Sequence, residues 1–125
     1  MRLLLDTNAL IWALLDDPSL TQEARAAIGE RGNHIAVSVA SVWEISIKHR
    51  AGKLRPPVDD VVGDLARRFS MLPIAPEHAW AAGQLPLHHR DPFDRILVAQ
   101  AQLEGLTIVT RDPKIARYQV AILPA

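Results

Sequence analysis

The sequence predicts an α/β sandwich with helices on both faces of a central, mainly parallel sheet. Two observations carry that prediction. Short apolar runs of strand length alternate with amphipathic stretches of helix length along the chain, and strands separated by helices pair in parallel through right-handed crossovers. With 125 residues, 49% of them hydrophobic, the chain suits one compact unit, 1–125, with a substantial core. No repeat, low-complexity segment or linker divides it.

The elements follow in order. "RLLL" (2–5) is an unbroken apolar run and reads as a first strand, followed by a helix from about Asn8 to Leu15. "DDPSL" carries turn residues, and Thr21 is placed to cap a helix over "QEARAAIGER". "HIAVS" (34–38) is a second strand, and "SVWEISIKHRAG" a helix closed by Gly52. "PPVDDVVGDLARRF" begins with prolines and gives a further helix, "MLPIA" (71–75) a strand and "PEHAWAAGQL" a short helix. "DPFDRILVAQAQLEG" has Asp91 as cap, Pro92 at the first helical position and Gly105 past the end. "LTIVT" (106–110) is a strand, "DPKIARY" a turn or short helix, and "VAIL" (120–123) the last strand.

Composition removes several functions. Cysteine is absent, which excludes disulfides, thiolate nucleophiles and cysteine-based zinc sites. No apolar run approaches the ~18 residues of a membrane helix, and Asp6 interrupts the N-terminal leucines too early for a signal peptide. A cytoplasmic protein is the expectation. Fourteen basic residues balance 14 acidic ones, so net charge neither favours nor excludes nucleic acid. The one basic run is "KHRAGKLR" at 48–55.

The acids are placed with more pattern. Asp6 follows the first strand, Glu44 lies in the helix after the second, and Asp112 follows "LTIVT". Strand ends of one sense share an edge of a parallel sheet, and functional loops gather there. The helix carrying Asp91 and Asp94 runs against the strands, so its N-terminus reaches the same edge. Each acid alone also suits helix capping, and "SVWE" (Ser41 to Glu44) has the form of a capping box. Capping does not account for so many carboxylates on one rim, where they repel one another. A divalent cation relieves that repulsion, and all-oxygen ligands suit Mg²⁺ or Mn²⁺. Such a cluster is suited to phosphate chemistry, since the metal polarises a phosphoryl oxygen and acidifies water.

"LLLDTNALIW", "SVASVWEISIK", "HHRDPFDRILVAQA" and "IVTRDPKI", in this order, resemble the PIN-domain nucleases, and more narrowly the VapC-type toxins of bacterial toxin–antitoxin pairs. The resemblance runs from Arg2 to about Ile122. It implies a PIN-like α/β/α sandwich and an endoribonuclease that hydrolyses RNA phosphodiesters with metal-activated water. Asp6 and Asp94 would be the primary metal ligands, with Glu44 and Asp112 completing the cluster. Thr7, Asn8 and Thr110 would orient these carboxylates, and Asp91 would cap its helix or assist the site. Arg95, Lys48, His49, Arg50, Lys53 and Arg55 are candidate contacts to the RNA backbone. A solvated helix end explains the basic run equally well, and a structural ion pair explains Arg95. The five histidines offer little, because adjacent His88 and His89 face different ways and make a poor metal pair. Trp12, Trp43 and Trp80 suit core or interface positions better than base stacking. A homodimer and a cognate antitoxin are the implied partners.

Rival readings fit less well. A haloacid-dehalogenase-like phosphatase needs an acid where Asn8 stands, and a response-regulator receiver needs adjacent acids after the first strand. A non-catalytic PIN-fold module for protein or RNA binding is opposed by the presence of Asp6, Glu44, Asp94 and Asp112. An RNA-processing nuclease without an antitoxin is the remaining alternative.

Overall fold

The computed structural model describes residues 1–125. Five strands form one sheet: β1 (Arg2–Leu5), β2 (His34–Ser38), β3 (Ser70–Leu72), β4 (Thr107–Thr110) and β5 (Ile122–Pro124). Their order is β3-β2-β1-β4-β5, and every pair is parallel. Six helices connect them: α1 (Thr7–Leu14), α2 (Gln22–Gly29), α3 (Val39–Arg50), α4 (Val61–Arg68), α5 (Pro76–Gln84) and α6 (Pro92–Glu104), with a 3₁₀ turn at Ile115–Arg117. The predicted α/β sandwich is therefore the observed fold.

The central position of β1 explains its unbroken leucines, because a strand covered on both faces needs apolar side chains at every position. Leu3 and Leu5 face one core with Leu10, Val37, Ile45, Leu65 and Val109. Leu4 faces the other with Leu97, Val98, Ile108, Ile115 and Tyr118. All three leucines are fully buried, worth about 2 kcal/mol each in apolar burial.

The boundaries differ from the sequence-based expectation in four instructive places. Helix α3 starts at Val39, capped by Ser38, whose Oγ accepts the Ala40 N–H at 3.1 Å. Ser41 is therefore no cap: it is buried and accepts a hydrogen bond from the Thr7 hydroxyl at 3.0 Å. Glu44 consequently lies in the second turn. Helix α4 starts beyond the prolines, where Asp60 caps it through the Gly63 N–H. Strand β3 stops before Pro73, which has no N–H for the ladder. Strand β5 starts late because the Val120 N–H is still engaged in a turn with the Tyr118 carbonyl.

The carboxyl ends of β2, β1 and β4 lie side by side, and the chain leaves β1 with a neighbour on either hand. This is the switch point at which open parallel sheets place their sites.

Candidate functional site

Asp6 closes β1 and caps α1. Its N–H donates to the Val109 carbonyl, its Oδ1 accepts the Ala9 N–H at 2.8 Å, and its Oδ2 accepts the Thr110 hydroxyl at 2.5 Å. Only 5% of the residue is exposed. Burial raises the Asp6 carboxyl above the usual range against these two donors, and Asp112 and Glu44 push it further up. Each oxygen retains a lone pair beyond the one already used.

Asp94 stands in the first turn of α6. The cap, Asp91, accepts the N–H groups of Phe93 at 2.8 Å and Asp94 at 3.2 Å through one oxygen. Burial, then the charges of Asp91 and Asp6, push the Asp94 carboxyl up to about 7, with Glu44 adding to them and His89 opposing. Asp112 follows β4. Its N–H donates to the Thr110 hydroxyl oxygen at 3.1 Å, so Thr110 links Asp6 and Asp112 directly. Glu44 faces the same space from α3, with the Lys48 ammonium 3.4 Å from its Oε2.

These acids surround a single cavity of about 550 Å³. Asp6, Glu44, Asp91, Asp94 and Asp112 all line it, together with Thr7, Asn8, Trp12, Lys48, His89, Arg111 and Pro113. Thr7 contributes from the floor, but its hydroxyl is committed to Ser41 and orients no carboxylate. Asn8 lines the cavity without a hydrogen bond to an acid. Arg50 and Lys53 are exposed and lie outside the lining.

Arg95 is not available to a substrate. Its two terminal nitrogens donate to the carbonyls of Ala82, Leu85, Pro86 and His89 and to the Tyr118 hydroxyl. It ties the segment between α5 and α6 to its own helix, forming neither an ion pair nor a free phosphate contact. The tryptophans divide as well: Trp12 reaches the cavity, whereas Trp43 and Trp80 are 64% and 74% exposed.

His89 is the member of the cluster that the sequence pattern does not disclose. Its Nε2 lies 2.8 Å from both Asp94 Oδ2 and Asp112 Oδ2, and the three side chains are close enough to share one ion. The adjacent histidines do face different ways: His88 packs edge-on against Tyr118 with centroids 5.0 Å apart. One histidine suffices, however, when acids supply the other donors. The available signal is its place two residues before the cap of the helix bearing Asp94.

The donor set fits a hard divalent cation. Five carboxylates meet in the cavity, and burial and mutual repulsion hold two of them above their ordinary range. The oxygens outnumber the proton donors aimed at them, the condition in which Mg²⁺ or Mn²⁺ is bound.

Comparison with known proteins bears on the family and the fold. A family model described as PIN domain matches residues 3–121. Ribonuclease VapC16 of Mycobacterium tuberculosis is 42% identical over 62 residues, 48% of this chain and 44% of that protein. The match thus spans less than half the length of that relative. Ribonuclease VapC22 of the same organism is 29% identical over 119 residues, 93% of this chain and 91% of that one. Among solved structures, VapBC2 from Rickettsia felis bound to a promoter DNA fragment superposes with a TM-score of 0.73 at 17% identity, covering 98% of both chains. A toxin–antitoxin complex from Klebsiella pneumoniae superposes at 0.67 with 22% identity, covering 97% of this chain and 95% of that one.

Proposed function

The chain belongs to the PIN-domain family, and from that premise we propose that it is a divalent-metal-dependent endoribonuclease, the toxin of a toxin–antitoxin pair. The observation that carries the proposal is the convergence of Asp6, Glu44, Asp94 and Asp112 on one cavity. The names of the two ribonuclease relatives support RNA as the substrate. The family match over 3–121 supports reading 1–125 as one such unit.

Asp6 and Asp94 would hold the cation, Mg²⁺ or Mn²⁺, with Glu44 and Asp112 completing its surroundings. When bound, the cation supplies Lewis-acid polarisation of the phosphodiester and lowers the pKa of water. The chain's own residues build the place where this happens. Thr110 fixes Asp6 and Asp112 relative to each other. Asp91 holds the first turn of α6 and with it the Asp94 backbone. His89 keeps Asp94 and Asp112 together. The Thr110 hydroxyl, which donates to Asp6, is buried and also accepts the Asp112 N–H, so it serves to hold the acids, and hydrolysis by water is the reaction class the site suits.

The partners follow from the same reading. Exposed Trp43 and Trp80 suit a second copy of the chain and an antitoxin segment, and the toxin–antitoxin complex among the structural relatives supports the latter. A cytoplasmic location is part of the same proposal and rests on the toxin reading. No helix is long and apolar enough to cross a membrane.

The test is cleavage of total RNA by purified protein with Mg²⁺, with a chelator, and by folded Asp6→Asn and Asp94→Asn variants. Metal-dependent cuts that fall at least about 100-fold in both variants are expected. Undiminished cutting by either variant, or cutting in chelator, overturns the assignment.

A further inference from the structure

Arg111 sits immediately after β4, between Thr110 and Asp112, and lines the acidic cavity. Its guanidinium carbon lies over the Trp12 ring, 4.4 Å from the centroid. Two of its three nitrogens are committed. Nε and Nη2 donate to the backbone oxygen of Ala125 at 3.1 and 2.7 Å, and Nη2 also donates to the Ser19 carbonyl. Nη1 makes no hydrogen bond within the protein, and the residue is exposed.

The other basic side chains near the cavity are engaged. Lys48 pairs with Glu44, and His89 bridges Asp94 and Asp112. Arg95 turns its terminal donors inward. Arg111 is the arginine of the lining, and it pairs with no aspartate or glutamate side chain. A polyanion approaching five carboxylates needs such a charge, and it needs one already in position. Stacking on Trp12 and the bonds to two backbone oxygens remove much of the rotamer freedom that an arginine otherwise loses on binding. They leave Nη1 as a charged donor on a residue that lines the cavity, and a charged N–H group is a strong donor to a phosphate oxygen.

We propose that Arg111, seated on Trp12, binds the RNA backbone through Nη1, at a phosphate beside the one to be cut. This rests on the nuclease reading above. Arg111 thereby takes the role that the sequence suggested for Arg95, and Trp12 is its positioning residue.

The test measures binding of a fluorescent, randomised single-stranded 20-mer RNA to the full chain across a salt series, with Ca²⁺ replacing Mg²⁺ to suppress turnover. Arg111→Gln is expected to weaken binding about tenfold and to flatten the slope of log affinity against log salt by about 0.7, the loss of one phosphate contact on a single strand. Trp12→Leu keeps the charge but releases it, so affinity falls about threefold with the slope unchanged. Mn²⁺ titration of both variants should match the wild type, which separates lost RNA contact from a damaged metal site. If Arg111→Gln is folded, as judged by its melting curve, and binds with wild-type affinity and slope, Arg111 is only a tether and the proposal is overturned. Wild-type affinity in Trp12→Leu overturns it equally. A wild-type protein that binds none of the RNA overturns the nuclease reading itself, and this proposal with it.

Discussion

Asp94 carries the clearest electrostatic burden in the molecule. Its carboxyl is pushed up to about 7, by burial first and then by Asp91 and Asp6. In the unfolded chain the same group titrates near the ordinary value of 3.8. Between those values the folded protein binds a proton that the unfolded chain has released, so stability falls as pH rises. The contribution is complete below about pH 4 and gone above about pH 7. Metal-free protein should therefore melt lower at pH 7.5 than at pH 4.5, by at least about 4 °C, the equivalent of roughly 1 kcal/mol in a chain of this size. Asp94→Asn should flatten that dependence while abolishing RNA cleavage. Scanning calorimetry in chelator checks both, and a wild-type curve that rises over this interval would show that Asp94 is not the group in control.

The segment between α5 and α6 shows where local pattern stops being informative. Helix α6 is legible almost to the residue, because Asp91, Pro92 and Gly105 punctuate it and Gly105 adopts φ 68° past its end. The acids are equally legible, since strand-then-acid order fixes which edge of a parallel sheet each one occupies. His89 is not. Its direction depends on a non-repetitive segment held by Arg95 and by the Tyr118 hydroxyl, which accepts the His89 N–H at 3.0 Å. Contacts between a helix, a loop and a residue 29 positions away leave no periodic trace in sequence. The start of α3 escapes for a related reason, because both Ser38 and Ser41 are chemically competent caps and only the buried end of β2 chooses between them. Arg95→Ala should cost roughly 3 kcal/mol in urea unfolding, since it leaves several carbonyls without their charged donor. It should also reduce cleavage by loosening His89, with the salt dependence of RNA binding unchanged. A change in that salt dependence would instead return Arg95 to the set of phosphate contacts.

Charge is balanced over the chain, 14 against 14, yet it is not evenly distributed. The sheet's switch point gathers carboxylates from β1, α3, α6 and the loop after β4 into one cavity, while the leucine core behind them offers no polar compensation. Assembling the site thus costs the fold part of its stability, and a divalent cation that bound only the assembled state would offset that cost. The linkage has a definite size: a ligand at 100 times its dissociation constant stabilises the folded form by about 2.7 kcal/mol. Mg²⁺ or Mn²⁺ should therefore raise the melting temperature by several degrees at pH 8. At pH 5 the gain should be much smaller, because there the cation must first displace the proton that Asp94 holds. Asp6→Asn and Asp94→Asn should each remove most of the increment. Ca²⁺ at the same concentration serves as the comparison, and Na⁺ at matched ionic strength separates site binding from screening. If all the salts gave the same increment, or if it survived in both variants, the carboxylates would be serving as helix caps alone. The leucine strand would then end in Asp6 for the sake of α1 and not for a metal.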